Sequence, residues 1–335
     1  MRSGSERFYP IPAVPLVQPV LSFYTREGDV FGRSPLFSFS NLLSYHIRIN
    51  IGAPPGKERK MELRERIFTK PLVRIRWLSI AGYEIESDGF TIVTDPCIAE
   101  NHNVPYGEEV VEKCDMMLLT HGHWDHTTGL NDIWKRFQCP LLCGELTAPW
   151  IARMTDIYPS DIYPMTPDLE LDFGPVKVKA LFGRHVRHTR SARELEEILK
   201  NRPGADLPGM TESNFYGSLE YRNWLVTLKN GLRIMVWGNN VRNEQLEIVK
   251  QIRPDIGIFQ FSVQRPDDLA KMCAAGHVKV LFPHHMDLKR TEAEYLPMLA
   301  ELDRAMAELS PETVVVTPEH LKWYDIGLTV APKEE

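Results

Sequence analysis

Apolar and polar positions change along this chain in short runs that predict strands and helices in turn. Met116–Leu119 is continuously apolar and predicts a short buried strand. Arg74–Leu78 and Thr91–Pro96 predict neighbouring strands, and Val176–Leu181 predicts another. Asn223–Leu228 and Arg233–Val236 flank Asn230-Gly231, a dipeptide that favours the tight turn of a hairpin. Asp267–Ala274 predicts a helix feeding a strand that starts at Val278. From Thr291 to Leu309 a helix would carry Leu296, Leu299, Leu302, Met306 and Leu309 on one stripe, which reads as core. Thr313–Val316 predicts a closing strand.

The first seventy residues differ in texture. Phe8–Pro15 and Phe31–Phe37 mix proline with aromatics, and Ala53–Lys57 reads as a turn or linker. Proline lacks a backbone donor and resists helix and central strand. The expectation is an N-terminal extension over 1–70, acting as an arm, lid or dimer contact or packed on its own domain. Residues 71–335 would form the main domain. Between Arg190 and Tyr221 an insert holds an expected helix over Ala192–Lys200 and two Pro-Gly turns. Such loops often shape a pocket, which Phe215, Tyr216 and Tyr221 would line.

Chemistry concentrates just after the Met116 strand. Thr120-His121-Gly122-His123-Trp124-Asp125-His126 packs three histidines and an aspartate into six residues. On a loop at a sheet edge, His121 and His123 can face one metal ion while Asp125 and His126 face a second. Imidazole nitrogen and carboxylate oxygen suit zinc, iron and manganese.

The motif resembles the signature of the metallo-β-lactamase-fold hydrolases. In that family the site is built from five stations along the chain. Asp95 ends a strand where the family has its first; the histidine run is the second. His185 after the Val176 strand stands for the third, with His188 in reserve. The fourth is normally Gly-Asp after a strand, and here reads Gly238-Asn239. Pro283-His284-His285 supplies the fifth, with His285 matching the position two after the proline. The resemblance covers roughly residues 72 to 325. It implies an α/β fold, the αββα sandwich of this family, and metal-dependent hydrolysis. Trp77–Pro96, together with the helix and Pro-Asp strand after the fourth station, is similar to the branch of ascorbate-phosphate lactonases and N-acyl-phosphatidylethanolamine phospholipases.

Asn239 departs from the pattern, since the family's aspartate there bridges two metals. An amide offers one neutral oxygen, and its NH2 cannot ligate. One tightly held ion, or two of unequal affinity, is therefore expected. His121, His123 and His185 would hold the tight one; Asp125, His126 and His285 would form the other site or surround a water. Asn239 is alternatively a cap of the following helix. Zinc is the first expectation, manganese or iron the alternatives, at one or two ions per chain. The expected reaction is attack by a metal-bound hydroxide on a lactone, amide or phosphodiester. Asp125 would be the general base and Asp95 the group that holds a ligand histidine in its tautomer. Arg184, Arg187, His188, His284 and Tyr216 are candidate substrate contacts. Two other classes stay open: a mononuclear iron enzyme using oxygen, and a noncatalytic binding protein stabilised by its metal.

A net charge of −6 argues against a nucleic-acid surface, and the expected partner is a small-molecule substrate. Five cysteines without a dense framework read as reduced thiols in a cytoplasm, more simply buried than reactive. No segment is long and apolar enough to span a bilayer, and the N-terminus lacks the pattern of a signal peptide. The N-terminal extension makes a homo-oligomer plausible.

Overall fold

A computed structural model describes residues 49–50, 71–184, 213, 215, 217, 219–238, 243–262 and 264–327. The chain divides into two compact units, Met1–Ser44 and Tyr45–Glu335, and every described residue belongs to the second. The expected helix over Ala192–Lys200 and nearly all of the expected extension lie outside the described residues.

The strands form two sheets. The first contains β1 (Ile49–Asn50), β2 (Val73–Ser79), β3 (Gly82–Ser87), β4 (Phe90–Thr94), β5 (Met116–Leu118), β6 (Leu141–Gly144) and β7 (Ile162–Met165). The second contains β8 (Glu170–Asp172), β9 (Val176–Gly183), β10 (Tyr221–Leu228), β11 (Arg233–Trp237), β12 (Ile256–Gln260), β13 (Val280–His284) and β14 (Val314–Val315). β15 (Trp323–Ile326) returns to the first sheet, between β1 and β2. Each sheet begins with antiparallel neighbours and ends in three parallel pairings, from β4 to β7 and from β11 to β14. The two halves thus repeat one topology.

Burial shows the layers. Met116 and Leu118 of β5 join one large core with Ile75 and Trp77 from their own sheet and Trp224, Val226, Val236 and Ile258 from the other. Met117 and Leu119 point the opposite way, against Leu130, Ile133 and Trp134 of α2 (Leu130–Phe137) and Ile151 of α3 (Ala148–Met154). A strand apolar on both faces has to be covered on both. The second sheet is covered by α4 (Asn243–Ile252), α5 (Pro266–Gly276) and α6 (Glu292–Leu309). Helix, sheet, sheet, helix is the expected αββα sandwich.

The hairpin of β10 and β11 turns at Asn230-Gly231, where Gly231 has φ +90 and Asn230 Oδ1 accepts from Leu232 N. Two expectations need correction. Arg74–Leu78 and Thr91–Pro96 do not pair directly, because β3 lies between them and pairs with both. On α6, Leu296 is exposed, while Tyr295, Leu299, Leu302 and Met306 face the core. Thr291 and Glu294 close a capping box that starts this helix. The five cysteines are buried and free. No helix among the described residues is long and apolar enough to cross a membrane.

Candidate metal centre

The site residues gather where parallel strands end. Asp95 follows β4 and Thr120 follows β5, its parallel neighbour. Asp95 sits at φ +39, with its backbone N–H on the Leu118 carbonyl, and Pro96 ends the strand. The turn aims its carboxylate inward. Oδ1 accepts from Thr120 N and Oδ2 from Thr120 Oγ1, each at 2.7 Å, and Oδ2 also lies 2.9 Å from His126 Nδ1. A proton on Nδ1 of His126 would face this carboxylate and leave Nε2 free.

After Thr120 the chain passes through His121, Gly122 and His123 into α1 (Trp124–Thr127), a single turn with His123 as its N-cap residue. His121 Nε2 and His123 Nδ1 converge to 2.9 Å. Tyr221, at the start of β10, stacks on the His121 ring at 4.6 Å. Its phenol occupies the space beside Gly238, where a Cβ would collide with Tyr221 Oη. A Cβ on Gly217 would strike the His123 ring, and Ser213 Oγ donates to the Gly122 carbonyl at 2.6 Å. Ser213 and Gly217 therefore lie directly against the histidine loop.

From the second sheet comes His285, just past β13, at φ +65. Its Nε2 lies 3.2 Å from Asp125 Oδ2, and one ligand atom each from Asp125, His126 and His285 falls within 4.8 Å of the others. Asp125 and His285 keep 14% and 12% side-chain exposure, whereas His126 keeps 2%. Burial disfavours a charged Asp125, but the imidazoles of His126, His285 and His123 outweigh it and hold the carboxyl well below its usual range. For His126, burial pulls the pKa down, yet Asp95 and Asp125 together raise it above the ordinary value. Burial, then Asp95 and Asp125, pushes the Tyr221 phenol up, so it stays neutral.

Two imidazoles, one carboxylate and a second converging imidazole pair make a donor set suited to divalent ions of the zinc, iron and manganese class. The trio Asp125, His126 and His285 meets at one point, as a shared ion requires. His121 and His123 meet at another.

Not every expected residue joins them. His284 is fully buried on β13 and pairs through Nε2 with the Trp237 carbonyl at 3.0 Å, so it is a strut between strands and not a substrate contact. Burial, with His285 nearby, drives its pKa well down and keeps it neutral. Arg184 is exposed at the end of β9. His185, Arg187, His188, Tyr216 and Asn239 lie outside the described residues. Cys97 is buried and receives a hydrogen bond from Thr128 Oγ1, which fits packing. Asp287, Asn101 and His320, which form a cluster behind His285, carry no short-range motif and were missed.

Residues 91–199 match the Beta-lactamase superfamily domain. Among solved structures, Igni18, a metallo hydrolase from Ignicoccus hospitalis, superposes with TM-score 0.53 at 12% identity, covering 75% of this chain and 97% of its own. The chain has the metallo-β-lactamase fold. The diiron β-hydroxylase CmlA of Streptomyces venezuelae shares that fold at TM-score 0.51 and 13% identity, over 77% of this chain and 54% of its own. A UPF0173 metal-dependent hydrolase of Koribacter versatilis is 32% identical over 82 residues, 24% of this chain and 35% of the relative. The chain spans about a third of the length of the first curated relatives it matches. Metallo-β-lactamase-fold proteins with such different named activities share one scaffold, so activity has to be argued from the site.

Proposed function

We propose that this metallo-β-lactamase-fold chain is a metal-dependent hydrolase acting on an ester, lactone, amide or phosphodiester. The observation that carries the reading is the convergence of Asp125, His126 and His285 within 4.8 Å, beside the converging pair His121 and His123. A divalent ion bound there supplies an activated water and polarises the oxygen under attack. His126 would hold the ion through Nε2, with Asp95 keeping the proton on Nδ1. Asp125 stays ionised and serves as a charged ligand. Asp125, 3.2 Å from His285 Nε2, would serve as such a ligand or, as the sequence suggests, orient the attacking water. Tyr221 stacks on the His121 ring, and Gly217 lies against His123 with no room for a side chain.

Elemental analysis of protein purified without added metal, combined with a substrate panel, tests the reading. The panel holds phosphorylated sugar lactones, aryl esters, amides, bis-aryl phosphodiesters and a single-stranded oligonucleotide. Bound divalent metal and chelator-sensitive turnover of one class support hydrolysis. Bound iron with substrate-dependent oxygen uptake and no hydrolysis refutes it in favour of oxygen chemistry.

A further inference from the structure

His285, a ligand in the proposed centre, leaves its strand in a left-handed conformation, and another left-handed residue faces it. Ile80, in the turn from β2 to β3, has φ +48, a conformation that a β-branched side chain seldom adopts. The two are tied together at both ends. His285 N–H donates to the Ile80 carbonyl at 2.6 Å. Ile80 N–H donates to the Asp287 carboxylate at 3.1 and 3.2 Å. Trp77 Nε1 adds a second donor to the Ile80 carbonyl at 3.1 Å. Strained backbone of this kind persists only where the surroundings over-determine it.

Asp287 is the hub of those surroundings. It is 1% exposed, and no lysine or arginine pairs with it among the described residues. Its Oδ2 accepts from Asn101 Nδ2 at 2.6 Å and meets His320 Nε2 at 2.9 Å. Its own carbonyl accepts from Asn103 Nδ2 at 2.6 Å, and Asn101 also donates to Ser79 Oγ. The His320 ring stacks on Trp77 at 4.0 Å, closing a circuit of Trp77, Ile80, His285, Asp287 and His320. A carboxylate buried this deeply costs desolvation, which several directed donors offset.

We propose that Asp287 is a positioning residue, held by Asn101 and His320, that fixes the backbone of His285 and so aims its Nε2 at the centre shared with Asp125 and His126. The proposal rests on the metal-dependent reading above. A loop anchor with no bearing on the site would stabilise the fold and leave ion binding unchanged. Asp287→Asn separates the two. One amide oxygen can still accept from Ile80 N–H, but the NH2 then confronts the donors of Asn101 and His320, and the circuit opens.

The test measures binding of cobalt(II) and zinc by chelator competition, the visible spectrum of the cobalt form, and the thermal midpoint of metal-free protein. Asp287→Asn is expected to weaken the ion at Asp125, His126 and His285 by about 10- to 100-fold, to alter the cobalt spectrum and to leave the ion at His121 and His123 in place. Unchanged affinities and an unchanged spectrum in a folded variant overturn the proposal. His320 supplies a second pair of variants at a partly exposed position. His320→Leu should weaken the same ion and His320→Gln, which keeps a donor, should restore it; equal affinities in both overturn the proposal even where Asp287→Asn fails to fold. A wild-type protein that binds neither metal sinks the metal-dependent reading itself, and the proposal with it. A wild type that binds metal beside indifferent variants removes only the positioning role.

Discussion

Replacing Asp95 by asparagine puts the logic of the site under direct strain. The wild-type carboxylate is fully buried and serves three groups: the Thr120 N–H, the Thr120 hydroxyl and His126 Nδ1, at 2.7, 2.7 and 2.9 Å. An amide of the same shape has one oxygen and one NH2. If the oxygen stays on the Thr120 N–H, the NH2 faces His126 Nδ1. His126 then has to accept there and carry its proton on Nε2, the nitrogen the ion needs. If the amide flips, a buried backbone N–H loses its acceptor, at roughly 1–3 kcal/mol. Either route penalises the metal-bound state. Loss of such an outer partner commonly costs about 10- to 100-fold in metal affinity, or roughly 1.4–2.7 kcal/mol at 25 °C. Chelator competition reads the affinity, and a melt of the metal-free protein checks that the fold survives. A folded Asp95→Asn protein with wild-type affinity would refute the tautomer argument.

Proton competition provides a second prediction. Asp95 and Asp125 raise the pKa of His126, so metal binding must displace a proton and affinity should climb with pH through the neutral range. In metal-free protein the raised His126 contributes stability below its unfolded value, near 6.5, and loses it as pH rises through the folded value. Asp125 is depressed, so its contribution is present above about 4 and fades on acidification. The metal-free melting temperature should therefore peak between those limits, and a midpoint that climbs steadily through His126 titration would contradict the assignment. Gly238→Ala would drive a methyl into the Tyr221 phenol, costing roughly 1–3 kcal/mol. Adding Tyr221→Phe should recover part of that loss, and denaturant melts of the single and double variants would show it. On α6, Leu302→Ala should cost about 2–5 kcal/mol, whereas Leu296→Ala should stay within about 0.5 kcal/mol. Equal costs at the two positions would show that the inward face of that helix is misassigned.

Much of this was legible before any fold was known, for a local reason. His121, His123, Asp125 and His126 lie so close in sequence that a strand end and one helical turn suffice to cluster them. Asn230-Gly231 marked the hairpin because the turn needs only local features, a left-handed Gly231 and an Asn230 side chain that accepts from Leu232 N–H. The apolar run of β5 announced burial on both faces, and so a sheet inside a sandwich. What the chain could not reveal depends on partners distant along it. β3 escaped notice because its role, separating β2 from β4, is a matter of pairing. The choice between adjacent histidines is also tertiary. Strand alternation turns His284 inward to the Trp237 carbonyl, while His285, itself left-handed, leaves the strand toward Asp125. Asp287 reaches Ile80 across 207 positions and Asn101 across 186, distances at which no pattern of spacing survives. Local sequence determined which groups are available for chemistry; only the packing of the two sheets decided which of them meet, because convergence at their shared edge depends on contacts that the chain makes last and furthest apart.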